Sequence, residues 1–171
     1  MWRDIAGGLF RRPRPDPVDT PNPDVAGTLA AQLDSAAQVR LGRSLAVLHI
    51  GAGGCSGCAM EVQALRGVAY DLERHGLCFV ASPRHADVLL VTGAPTLAMR
   101  TALETAQAAM PEPGWIVAVG DCACNGGEFA GSYAVLGGIG AVLPVDLVVP
   151  GCPPAPAAVL MALLTLIEAN A

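Results

Sequence analysis

The stretch at residues 51–65, GAGGCSGCAMEVQAL, restricts this chain more than any other. An uninterrupted apolar run at residues 45–50 leads into it, a pattern that suits a strand buried on both faces. Glycines then turn the backbone, two thiols follow at Cys55 and Cys58, and a helical pattern starts near Ala59. This order predicts a strand, a loop and a helix start, with soft ligands placed where the chain turns. A thiolate near a helix N-terminus lies in positive potential, which lowers its pKa and favours metal ligation.

The same alternation continues along the chain. Residues 25–39 read as a helix with Leu29 and Leu33 inward, followed by strand one at 45–50. A helix is expected over 59–75, ended near Gly76, then strand two at 77–81 and strand three at 87–92. A helix at 95–110, strand four at 115–119, strand five at 146–149 and a closing helix at 154–169 complete the pattern. Residues 120–144 read as a long glycine-rich connection with room for a short helix. Strands alternating with helices imply an α/β fold, with a mainly parallel sheet of about 4–5 strands. With 171 residues, 53% of them hydrophobic and 4% aromatic, the chain suits one domain with a core of Ala, Val and Leu.

The expected division is a segment at 1–24 and an α/β domain at 25–171. In the first, Trp2, Ile5, Leu9 and Phe10 fall near one helical face, ahead of an extended linker set by five prolines between Pro13 and Pro23. That face either packs on its own domain or docks on a partner or membrane surface. No apolar core of a secretory signal follows the first residues, and the Arg11-Arg12 pair runs into Pro-Arg-Pro. The apolar run at 157–167 is too short to span a bilayer of ~30 Å. All ten basic residues are Arg and they are scattered, in a chain of net charge −5, which argues against nucleic acid as a partner. No phosphate-loop or dinucleotide glycine motif occurs, so no nucleotide is expected.

Six cysteines then carry the chemistry. Cys55 and Cys58 follow strand one, Cys122 and Cys124 follow strand four, and Cys152 follows strand five. Three loops thus bring thiols to the carboxyl edge of a parallel sheet, where open α/β sheets place ligands. Cys78 falls inside strand two and is expected to be a buried apolar residue. Four thiolates can hold zinc or an iron–sulfur cluster, and a lone C-x-x-C before a helix also fits thiol–disulfide exchange. The separated positions favour the cluster over a zinc-stabilised interaction module. Thiol exchange leaves Cys122 and Cys152 without a role.

Four motifs carry a family resemblance: Gly54-Cys55-Ser56-Gly57-Cys58 with Glu61, Ser82-Pro83-Arg84-His85-Ala86-Asp87 running into strand three, Val119-Gly120-Asp121-Cys122-Ala123, and Pro150-Gly151-Cys152-Pro153-Pro154. In this order, over roughly residues 44–168, the chain resembles the small iron–sulfur subunit shared by respiratory complex I (the 20 kDa subunit) and membrane-bound [NiFe] hydrogenases. The resemblance implies a flavodoxin-like fold and one [4Fe-4S] cluster, with ligands mapping onto Cys55, Cys58, Cys122 and Cys152, and Cys124 outside the set. The C-S-G-C spacing is similar to the hydrogenase branch, including the formate hydrogenlyase and hydrogenase-4 types. The resemblance implies partners: a large subunit of the [NiFe] hydrogenase or complex I 49 kDa type, a ferredoxin-like iron–sulfur subunit, and membrane-arm subunits. It also implies work at the cytoplasmic side of the membrane, held peripherally by those partners. Ala155 departs from the pattern, since many relatives carry Arg after the Pro-Pro pair.

Glu61, Arg84 and His85 are candidates for the surroundings of the cluster. Glu61 lies one turn beyond Cys58, where it either caps loop N–H groups or couples reduction to protonation. Arg84 and His85 either pair with surface carboxylates or raise the cluster potential as nearby positive groups. His49 and His75 read as structural. Gly126, Gly127 and Gly131, with Phe129 and Tyr133, form turns or a loop that the family comparison places against the large subunit or a quinone-like cavity.

Overall fold

Five short apolar runs pair into one parallel sheet in the order β2-β1-β3-β4-β5. The computed structural model describes residues 23–67, 70 and 72–170. Its strands are β1 (Leu45–Gly53), β2 (Leu77–Phe79), β3 (Val88–Gly93), β4 (Trp115–Val119) and β5 (Leu147–Val149). Its helices are α1 (Pro23–Leu41), α2 (Gly57–Ala64), α3 (Arg100–Ala108), α4 (Asp121–Asn125) and α5 (Pro156–Ala169). The 2-1-3-4-5 order is that of flavodoxin-like folds, with the switch point between β1 and β3. The amphipathic segment and linker expected at the start lie outside the described residues up to 22, and α1 begins at Pro23.

Alternation along the central strands sends side chains to two cores. Val47, Leu90 and Val117 pack on Leu33 of α1, Val62 of α2 and Leu163 of α5. Leu48, Leu89 and Ile116 face the other way, onto Leu103 of α3 and Ala123 of α4. β3 is buried from Val88 through Thr92, so its continuous apolar run reflects helices on both faces.

Three local expectations are corrected. The helix expected over 59–75 is α2 alone, ending at Ala64; Gly67 follows, and a separate 3-10 turn, Leu72–His75, leads to β2. Glycine there lowers helix propensity at the point where the chain must turn. The helix expected from residue 95 starts at Arg100, because the preceding residues bond elsewhere. Thr96 Oγ1 donates to the Ala52 carbonyl at 3.3 Å, and Thr96 bridges Val135. Cys78, expected to be buried, is exposed. β2 is an edge strand, and between buried Leu77 and half-buried Phe79 its alternation turns Cys78 outward.

Asp87 ties the start of the sheet together. It is 2% exposed, and its carboxylate accepts two bonds from Arg43, at 2.9 and 2.6 Å, and one from the Ala46 N–H at 2.9 Å. Its backbone joins β1 to β4, through Asp87 N–H to the Ala46 carbonyl and Trp115 N–H to the Asp87 carbonyl. Arg43→Ala leaves a buried carboxylate with the Ala46 N–H as its remaining donor. The expected loss is about 2–4 kcal/mol, below the fully buried case because Arg43 is half exposed. Faster hydrogen exchange at the Ala46 and Trp115 amides reads it; unchanged exchange would show that Asp87 does not need Arg43.

Candidate metal centre

The carboxyl ends of β1, β4 and β5 deliver all four expected ligands to one edge. Past β1 the chain turns at Ser56, a non-glycine residue at φ 66, and enters α2 with Cys58 as its second residue. Past β4 it turns at Gly120 and enters α4, again with a cysteine, Cys122, in second place. Cys152 sits three residues past β5. Cys55, Cys58 and Cys122 line a cleft of about 140 Å³ together with Gly53, Thr92 and Gly93, at the β1/β3 switch point. Cys122 also lines the adjoining cleft with Cys152, so one residue joins the two halves of the set.

Backbone close to the sulfurs makes this packing possible. A Cβ on Gly120 would collide with Cys58 Sγ. One on Gly127 would stand 2.8 Å from Cys122 Sγ. Glycine at both positions therefore lets main chain lie against thiol.

Sequence reasoning missed the clamp that holds two of the loops in register. Asp121 Oδ1 accepts from the Gly151 N–H at 2.8 Å, while the Asp121 N–H donates to the Gly151 carbonyl at 2.9 Å. The Gly120 N–H also donates to the Val149 carbonyl at 2.8 Å. These bonds fix the Cys122 loop against the Cys152 loop. The available signal was an Asp directly before an expected ligand cysteine and after a glycine.

Electrostatics show that the thiols share one environment. Burial pushes the Cys58 thiol up, and Cys122, Cys152 and Cys55 push it further. Burial also raises Cys122; the Glu128 backbone N–H opposes this, and Cys152, Cys55 and Asp121 add to it. The expected lowering by a helix N-terminus is thus outweighed at Cys58. Four sulfurs this close cannot all ionise without a compensating positive charge, which a bound metal group supplies as it displaces the protons. Among the described residues, no three His, Cys, Asp or Glu side chains close on a single ion-sized point.

Cys124, Arg84 and His85 separate from the thiol set. Cys124 does not line either cleft; its Sγ lies 4.0 Å from the Val149 carbonyl, and burial raises its pKa. Glu61 is half-buried on α2, and its charge acts on Tyr70. Arg84 and His85 are exposed in the 3-10 turn ahead of β3, while the cleft lies at that strand's far end beside Gly93. Six residues of strand, roughly 20 Å, intervene, so neither neighbours the thiols. Phe129 reaches the cleft rim, where a Cβ on Gly54 would be 3.2 Å from its ring, and Tyr133 is 96% exposed.

Comparison with known proteins bears on the family and the fold. A subunit of the NADH-quinone oxidoreductase of Citrifermentans bemidjiense is 47% identical over 113 residues, 66% of each chain. Formate hydrogenlyase subunit 7 of Escherichia coli (strain K12) is 41% identical over 140 residues, 82% of this chain and 55% of that one. The chain therefore spans just under two thirds of the first relative and about half of the second. Among solved structures, a chain of the membrane-bound sulfane sulfur reductase, an archaeal respiratory membrane complex, superposes with a TM-score of 0.65. That match has 30% identity and covers 81% of this chain and 74% of the other. The family described as NADH ubiquinone oxidoreductase, 20 Kd subunit, matches residues 55–166, which hold all four cysteines of the site, and the chain belongs to that family.

Proposed function

We propose that this chain is the electron-transfer subunit of a membrane-associated [NiFe]-hydrogenase-like complex, holding one [4Fe-4S] cluster through Cys55, Cys58, Cys122 and Cys152. The observation that supports it is the convergence of four thiols from three loops on one sheet edge. Such a cluster supplies one-electron transfer when bound. The chain's own residues hold it, set its surroundings and insulate it. Cys58 and Cys122 are buried and fix the inner side, while Cys55 and Cys152 are exposed and face outward. Met60 on α2 and Phe129 and Tyr133 in the glycine-rich connection put exposed apolar surface on the cysteine-bearing loops and helix. That surface suits a large catalytic subunit on one side and a ferredoxin-like subunit on the other. Attachment to the membrane is peripheral, on the cytoplasmic side, through membrane-arm partners; no helix of the described residues is long and apolar enough to cross a membrane.

A second reading is the equivalent subunit of an NADH:quinone oxidoreductase, favoured by the names of the more identical relatives. The C-S-G-C spacing and the formate hydrogenlyase relative favour the hydrogenase side. Purification with partners under anaerobic conditions, with iron, sulfide, nickel and zinc assays and an EPR spectrum after reduction, separates these readings. About four irons and four sulfides per copy are expected. Nickel in the same complex selects the hydrogenase reading, and a complete complex without nickel selects the quinone reductase or a non-nickel hydrogenase-related complex. Zinc without sulfide overturns both.

A further inference from the structure

Thiols aside, the ionisable side chains that line the two clefts are both carboxylates. Asp121 and Glu128 line the cleft that Cys122 shares with Cys152, and among the described residues no Arg, Lys or His lines either cleft. Glu128 is exposed, so solvent screens its charge, whereas Asp121 is half-buried. Burial is the first cause of the raised Cys122 and Cys124 thiols, and the Asp121 charge adds to both. We propose that Asp121 serves the site in two separable ways: its Oδ1 acceptor positions the Cys152 loop, and its negative charge lowers the potential of the bound group; this rests on the cluster reading above.

The two roles use different properties of one side chain. Position needs an acceptor alone. The Gly151 N–H donates to Asp121 Oδ1 at 2.8 Å, the Asp121 N–H donates back to the Gly151 carbonyl at 2.9 Å, and Cys152 is the next residue. An uncharged amide oxygen at the same place can accept the same bond. The charge acts through space instead. Reduction adds an electron to a group already bounded by thiolates, so a fixed negative charge opposes it and lowers the potential, net charge being one of its determinants. The Gly151 N–H holds the carboxylate in place, and no cation on either cleft wall offsets it.

The fold supplies its own control. Asp146 makes the same reciprocal pair of bonds with Ile116: its Oδ2 accepts from the Ile116 N–H at 2.7 Å, and its N–H donates to the Ile116 carbonyl at 2.9 Å. Asp146 directly precedes β5, at the amino edge of the sheet, and lines neither thiol cleft. Neutralising it changes an equivalent clamp and the same unit of charge at the end of the sheet away from the thiols.

The test is the midpoint potential of the EPR signal that Cys152→Ala removes, titrated with dithionite and mediators on the intact complex at one pH, beside iron and acid-labile sulfide per chain. Asp121→Asn keeps the acceptor and removes the charge. It is expected to retain iron, sulfide and the wild-type g-values while its midpoint rises by about 59 mV for one electron, a tenfold shift of the redox equilibrium toward the reduced form. Asp121→Ala removes both and is expected to hold less iron and sulfide than Asp121→Asn. Asp146→Asn is expected to keep the wild-type midpoint. An unchanged midpoint in Asp121→Asn, or an equal rise in Asp146→Asn, overturns the charge role. Iron lost from Asp121→Asn as fully as from Asp121→Ala overturns the separation of the two roles. All three results leave the cluster reading standing, whereas a wild-type complex with no iron or sulfide in this subunit overturns both.

Discussion

Cys122→Ala is expected to strip this subunit of its iron and sulfide, and Cys124→Ala to leave both in place. The two thiols are two residues apart on α4, so sequence distance predicts similar effects. Their directions differ. Cys122 lines both clefts, feels Cys55 and Cys152, and has Gly127 backbone packed against its sulfur. Cys124 points to the Val149 carbonyl. On the proposed ligand set, removing Cys122 takes away the one thiol that lines both halves of the site. Removing Cys124 costs a weak thiol contact, and the neighbour is expected to alter metal affinity by less than the roughly 10–100-fold typical of groups that orient ligands. Iron and acid-labile sulfide per chain, with EPR after reduction, read the contrast. Equal loss in both variants would make Cys124 a ligand and reopen the assignment.

That contrast also marks how much the sequence reveals without the structure. Cys55, Cys58, Cys122 and Cys152 are legible because each follows an apolar run that suits a buried strand, and parallel strands end at one edge. The two-sided burial of β3 is legible for the same reason. What escapes depends on tertiary bonds that leave no local pattern. Thr96 follows a proline at a plausible helix start, yet its hydroxyl and backbone bond to Ala52 and Val135, and the helix begins later. Cys78 reads as buried because strand two is apolar, but only pairing order makes β2 an edge. Arg84 and His85 precede strand three, so parallel strands with the thiols at their carboxyl edge already put the pair at the opposite end, and the family motif drew attention away from that. Asp121 stands beside Cys122 with no visible role in the sequence, because its partner, Gly151, is 30 residues away.

Gly120→Ala is expected to lower stability and metal retention together. Gly120 has φ 91 and ψ 156, a combination that is essentially confined to glycine. Forcing alanine there costs roughly 1–3 kcal/mol in backbone strain. The new Cβ also collides with Cys58 Sγ and stands 3.3 Å from the Gly151 carbonyl, so one ligand and the partner of the Asp121 clamp must both shift. Overpacking of this kind adds about 1–3 kcal/mol. On the proposed ligand set the displaced atom is a ligand sulfur, so metal retention is expected to fall with stability, where an ordinary core clash would lower stability alone. Gly27→Ala supplies the opposite sign. Gly27 lies inside α1 with nothing within 4 Å of an added Cβ, and alanine there is expected to stabilise by about 0.5–1 kcal/mol. Thermal midpoints of the purified complex, measured beside iron content, compare the two. If Gly120→Ala keeps its iron and its midpoint, Cys58 does not lie against this backbone, and the inner wall of the site must be redrawn.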